Sequence, residues 1–442
     1  MKTPDRLRNL IHRTLATALL AVLALSVAAQ SGTNSPYSQY GLGTLSDQTS
    51  GFNRGMNGLA LGFHEHNQIN YLNPASYSAL DSLTFIFDIG MTGQITNFKE
   101  GSTKVNARNA DFEYAVAGFR AFKHLGVSFG IIPFTNVGYD YTIGDYINDD
   151  YSEYYTTNYS AASGGLHQIY FGLGWEPFKR FAIGANISYL WGDYERCIEN
   201  EYSDSWVNTL SKYYIASINS YKLDFGLQYT IPLGNKRDEL TLGVTFSPGH
   251  NLGTDPECLV ISDNTSTGVS DTTSYTIEDG LELPMMFGFG FMWNHRNKLK
   301  VGIDYSLQKW GDTEAPEFVV VNDVPYYRLT DDFYEDRHKF TIGGEYCRNE
   351  YSRRWADRLR FRAGASYATS YYKINGQDGP TELSVSAGFG IPIMNSYNNR
   401  SVLNISCQWV HYSGDGMITE NTFRINIGIT FNERWFSKWK FE

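Results

Sequence analysis

From Leu83 onward the chain repeats one unit, a run of apolar positions alternating with small or polar ones and then a turn. A period of two marks a strand whose two faces meet different surroundings. Tyr221, Leu223, Phe225, Leu227 and Tyr229 alternate with Lys222, Asp224, Gly226, Gln228 and Thr230. Phe423, Ile425, Ile427, Ile429 and Phe431 alternate in the same way with Arg424, Asn426, Gly428 and Thr430. The same pattern predicts strands over 83–92, 110–119, 126–132, 167–175, 181–190, 240–246, 286–293, 299–305, 339–346, 359–367, 383–391 and 402–409, fourteen in all with the two above.

Connection lengths give an independent reading. Short links at Lys123-His124, 176–180, 234–239, 294–298, 348–358 and 392–400 alternate with long ones at 138–162, 191–220, 247–283 and 306–338. An even strand number with short turns at one end and long loops at the other is the plan of a bacterial outer-membrane barrel, and a soluble sandwich gives no reason for it. The predicted fold is therefore all-β, a transmembrane antiparallel up-and-down β-barrel of about fourteen strands. A negative mean hydropathy of −0.35 is compatible with that, because only alternate residues face lipid.

Charge follows the two ends. The stretch 247–283 carries seven carboxylates and 138–162 carries Asp140, Asp145, Asp149, Asp150 and Glu153, both without Lys or Arg. The short links instead hold Lys179, Arg180, Lys236, Arg237, Arg296, Lys298, Arg353, Arg354 and Arg358, so the outer rim reads as acidic and the inner one as basic. Trp175, Trp293, Trp310, Trp409, Trp435 and Trp439 fall near predicted strand ends, where an interfacial aromatic belt would put them.

Lys2, Arg6, Arg8 and Arg13 precede an apolar run from Leu15 to Ala29, which reads as an export signal cut after Ala29. Losing four basic residues and Asp5 takes the formal charge from −11 to −14, which argues against a nucleic-acid partner. The expected domains are a signal peptide over 1–29, an N-terminal segment over 30–82, the barrel over 83–431 and a periplasmic tail over 432–442. The N-terminal segment lacks strand period, yet its spaced Phe52, Met56, Leu59, Leu61, Phe63, Ile69, Tyr71 and Leu72 imply that it packs.

Four cysteines are too few for a disulfide framework. Cys197 and Cys258 lie in polar outer segments, where unpaired thiols are the favoured reading; a bridge, which needs their Cα atoms within about 7 Å, is the alternative. Cys407 reads as an apolar wall residue, and Cys347 lies near an inner turn. His64-Glu65-His66 lacks the spacing of a helical metal site, and Gly288-Phe289-Gly290 sits within a strand and leads into no helix. No nucleophile, base and orienter set is visible, so no enzyme, cofactor or metal is expected.

The stretch Arg54-Gly55-Met56-Asn57-Gly58-Leu59-Ala60-Leu61-Gly62, followed by Asn73-Pro74-Ala75, resembles the N-terminal hatch of the FadL family of outer-membrane transporters. The resemblance implies that the N-terminal segment plugs a fourteen-stranded barrel. It also implies passive uptake of a hydrophobic small molecule or lipid of the long-chain fatty-acid kind, leaving through a side opening at a kink in the third strand. Pro133, Asn136 and Gly138 are the residues here that could form it, since Pro removes a ladder donor and Gly weakens a strand. The opening Ser35-Pro36-Tyr37-Ser38-Gln39-Tyr40-Gly41 and the ending Asn432-Glu433-Arg434-Trp435-Phe436 look like those of Bacteroidota barrels, among which relatives also act as accessory subunits of outer-membrane protein secretion or assembly complexes. Transport predicts a continuous apolar cavity between plug and wall. An accessory role predicts a filled lumen.

Overall fold

The structure, a computed structural model, describes residues 32–146, 155–234, 238–322, 324–350, 352–393 and 401–433. The expected export signal and the last nine residues, with Trp435 and Trp439, lie outside the described residues.

Fourteen antiparallel strands build the wall. They are β1 (Phe85–Glu100), β2 (Thr103–Phe122), β3 (Leu125–Pro133, resumed as Thr135–Tyr146), β4 (Tyr155–Phe178), β5 (Phe181–Tyr202), β6 (Thr209–Leu233) and β7 (Asp238–Ser247). Then follow β8 (Met286–His295), β9 (Leu299–Gln308), β10 (Arg337–Cys347), β11 (Arg360–Ala368), β12 (Thr381–Ile393), β13 (Ser401–Ser413) and β14 (Thr419–Glu433). Each pairs with its sequence neighbours, and β1 pairs with β14 from Phe85↔Glu433 to Lys99↔Thr419, which closes the sheet as the sequence predicted. Closure leaves no open edge in hydrocarbon, the condition for a sheet to cross a bilayer.

The wall is inside-out relative to a soluble barrel. On β6, Phe225 is 45% exposed and Gln228 only 2%. Nearer the outer end the rule reverses, with Ala216 and Ile218 buried while Ser217 and Asn219 are exposed. That reversal marks where β6 leaves lipid for water. It also explains why the strands outrun their predicted ends. The stretches 138–162 and 191–220, read as loops from their polar character, are largely continuations of β3 to β6, for Thr, Tyr and Ser sustain a ladder once lipid no longer demands apolar neighbours. A hairpin of Glu257–Asn264 and Val269–Thr276 adds to the upper edge of β6, and a second, Ala315–Val321 with Val324–Thr330, stands beside it.

One expectation is corrected, and the cysteines stand as unpaired thiols. Trp175, Trp293 and Trp409 are outward and exposed, but Trp310 is fully buried in a cluster with Leu166, Leu190, Tyr334 and Tyr371 beneath the outer loops. All four cysteines are free, so Cys197 and Cys258 do not bridge. Cys197 is the rung partner of Tyr213 and Cys258 that of Tyr214, on opposite sides of β6. Successive residues of a strand face opposite ways, so the thiols lie on opposite faces and about 10 Å apart.

Candidate functional site

Residues 32–82 run through the interior of the wall. Ser35 caps a 3₁₀ turn, Pro36–Gln39, through its side chain, which accepts from the Tyr37 N–H. Thr44–Leu45 pair with Thr135–Asn136 of β3, Gly51–Arg54 form one helical turn, and Pro74–Ala79 form a second 3₁₀ turn just before β1. Asn73 caps that last turn, accepting from the Ala75 N–H at 3.2 Å, while its amide donates to Leu61 O at 2.9 Å and to Leu227 O of β6 at 3.3 Å. Wall glycines let the segment come this close. A Cβ at Gly243 would sit 1.9 Å from the Leu61 carbonyl oxygen and one at Gly126 1.8 Å from that of Tyr77. Alternation alone showed these glycines as a small-residue face and gave no sign that a chain presses on it.

Charged contacts anchor the segment. Arg54 pairs with Glu113 of β2 at 2.6 Å, both largely buried, and donates to Asn426 of β14. Glu113 is an extra residue, since Tyr114 faces Gly90 and Phe112 faces Met91, and a bulge of this kind re-aims a side chain. Gly55 packs against Arg362, while Gly58 (φ +89°) follows Asn57 (φ +57°) in a left-handed turn whose Asn57 amide reaches Ser366 and Ser384. Asp304 of β9 accepts the Ala60 and Leu61 N–H groups at 2.6 and 2.9 Å. Asp47 meets Lys339 and Arg424, each at 3.3 Å. Glu345 binds Arg360 at 2.6 Å and Arg362 at 2.7 Å, with Lys300 bridging onward to Glu65. Outside the stretch 54–62 and Glu65, these partners were not singled out in the sequence, where a lumenal charge looks like any polar strand position.

The three residues of His64-Glu65-His66 part company. His64 meets Gln228, Glu65 meets Lys300, and His66 bridges Asp81 at 2.8 Å and Glu350 of an inner turn at 3.5 Å. Hydrogen bonds to Asp81 and Glu350 push the His66 pKa up to about 9. Among the described residues no group of three His, Cys, Asp or Glu side chains could hold a metal ion.

The third strand breaks after Pro133. The Phe134 N–H donates to Leu166 O at 2.7 Å, and its carbonyl accepts from the Ser46 N–H at 3.0 Å. The β2–β3 ladder runs from Phe122↔Leu125 to Ala115↔Ile131 and stops there. Beyond it the chain's own N-terminal residues lie alongside. Gly32 sits against both Asp111 and Asn136, Asn34 donates to Arg108 O at 3.4 Å, and the Gly138 N–H donates to Ser38 Oγ at 3.1 Å. Pro133, Asn136 and Gly138 are thus brought together around residues 32–46 of the same chain.

The space beside the segment is of mixed character. A lumenal cavity of about 180 Å³ is edged by Ile132, Phe134 and Met286, but also by Asp47, Lys222, Asp224, Asp304, Arg337 and Lys339. A second space of about 50 Å³ near the outer end is lined by Glu382, Glu420, Arg337 and Arg424 among others. Drug-sized ligand sites are ~300–1,000 Å³ and mostly apolar. An apolar guest here would have to strip water or partners from buried ions, an unfavourable exchange.

Comparison with known proteins adds a family and a fold. The sequence model of the BamG family matches residues 10–442. No curated protein matches the sequence. Among solved structures, the Ralstonia pickettii toluene transporter TbuX has a TM-score of 0.60 at 13% identity, over 87% of this chain and 98% of its own. The CymD monoaromatic hydrocarbon channel gives 0.57 at 14% identity, over 90% and 100%. A Pseudomonas aeruginosa FadL homologue gives 0.58 at 10%, over 88% and 99%. The chain therefore shares the barrel fold of these channels at very low identity.

Proposed function

The chain belongs to the BamG family, and from that premise we propose that it is a non-transporting accessory barrel of the outer membrane, a subunit of a protein secretion or assembly complex. The observation that carries this reading is the filled lumen. Residues 46–80 act as a plug held by Arg54–Glu113, Asp304 to the Ala60 and Leu61 amides, and the Glu345 cluster, and the space beside them is edged by charged as well as apolar groups. A conduit for hydrophobic molecules needs a continuous apolar path, whereas a scaffold needs only a rigid wall and surfaces that others can hold. The export signal expected from the sequence and the outward apolar faces support an outer-membrane location.

A second reading, passive uptake of a hydrophobic small molecule, is favoured by one observation: the break at Pro133–Phe134 in a barrel whose fold is that of hydrocarbon channels. In that reading residues 32–46 move aside and the molecule leaves sideways between β2 and β3. Uptake of a fluorescent fatty acid into proteoliposomes separates the two. The accessory reading expects the rate of protein-free liposomes for the full chain. Saturable uptake that Pro133→Ala diminishes would replace it with the transport reading.

A further inference from the structure

A cavity of about 270 Å³ opens in the outer vestibule, lined on the side of the wall by Tyr139, Tyr194, Arg196 and Tyr214. Tyr139 of β3, Ala162 of β4, Arg196 of β5 and Tyr214 of β6 are successive rung partners and so stand side by side on one face of the wall. Ala162 contributes only a methyl group between Tyr139 and Arg196. The Arg196 guanidinium lies 5.4 Å from the Tyr194 ring centre and 5.3 Å from that of Tyr214, and it donates to the Gln39 carbonyl oxygen. Tyr40 and Tyr334 close the space from the N-terminal segment and an outer loop.

Arg196 has no carboxylate partner among the described residues, although an arginine keeps its charge in any protein setting. Its Nε and the Tyr139 hydroxyl are both buried without a hydrogen-bond partner. Buried polar groups are normally satisfied, and a buried cation normally has an anion. Two unsatisfied donors beside an aromatic wall form a receptor for an anion joined to a flat apolar body. Exposed Glu317 stands at the rim and the outer loops are acidic, which disfavours multiply charged anions.

We propose that this vestibule binds a monoanionic small molecule with a planar apolar body, an aryl carboxylate by class, with Arg196 as the partner of its carboxylate. The site is independent of whether anything passes the lumen. It is tested by calorimetric titration of the full chain in detergent with 2-naphthoate and with its uncharged analogue 2-naphthylmethanol. Saturable binding of the acid, at least about tenfold tighter than the alcohol, is expected, with Arg196→Gln bringing the acid down to the level of the alcohol and Arg196→Lys falling between. Equal affinities for the two probes, no binding of the acid up to about 1 mM, or an acid preference that survives Arg196→Gln overturns it. Retention of the heat-dependent gel shift shows that the variants are folded; if Arg196→Gln loses it, the acid-to-alcohol ratio on the unaltered protein decides alone.

Discussion

Replacing Asp304 tests how the wall grips the plug. Its Oδ2 accepts both the Ala60 and Leu61 N–H groups, at 2.6 and 2.9 Å, and among the described residues no cation forms an ion pair with it. Hydrogen bonds to a charged group contribute about 1.5–3 kcal/mol each, so Asp304→Ala forfeits about 3–6 kcal/mol and leaves two buried donors unsatisfied. Some of this is returned, because the Asp304 Oδ1 is itself buried without a partner and its desolvation disappears with it. A net local loss of about 3 kcal/mol raises opening of the plug around Leu59–Phe63 roughly a hundredfold. Asp304→Asn keeps an acceptor of nearly the same shape but replaces charge-assisted bonds with neutral ones about half as strong, and should fall between. Hydrogen exchange read by mass spectrometry on peptides covering these amides measures the effect. Unchanged protection of the Ala60 and Leu61 amides in Asp304→Ala refutes the reasoning.

Three other outcomes follow from the same geometry. Gly243→Ala, whose Cβ would meet the Leu61 carbonyl oxygen at 1.9 Å, should expose the plug to protease, while Gly93→Ala, with nothing within 4 Å, should not. Glu345→Gln leaves Arg360, Arg362 and Lys300 without their shared carboxylate in a buried site; a loss of about 3–5 kcal/mol should lower the temperature of the gel-mobility shift well below that of the parent. The His66 contact with Asp81 and Glu350 raises the imidazole from its ordinary 6.5 to about 9, so its stabilisation is complete below about pH 6.5 and fades as pH rises through 9. Protection at residues 64–68, taken relative to the intrinsic exchange rate at each pH, should therefore fall across that window, and His66→Gln should remove that fall.

The wall was legible because lipid imposes a strict rule on alternate residues, and Tyr221 to Tyr229 obey it without exception. The rule fails where lipid ends. Ala216 and Ile218 turn inward on the same strand, and Trp310, read as a belt residue, joins the buried outer cluster. The stretch 54–62 drew notice only by its likeness to a hatch, and its contacts with the wall were hidden, since Glu113 reaches Arg54 through a bulge that alternation treats as an error of phase. Asp304 and Glu345 looked like ordinary lumenal positions, and only the approach of a distant segment gives them partners. Arg196 was hidden for a related reason: its row is formed by four strands, and no single strand displays it.

The most direct test of the accessory reading is the native mass of the chain after gentle extraction from the membrane that makes it. One discrete mass holding this chain and other polypeptides in fixed stoichiometry is the predicted result. A lone barrel carrying only a bound hydrophobic molecule would contradict it.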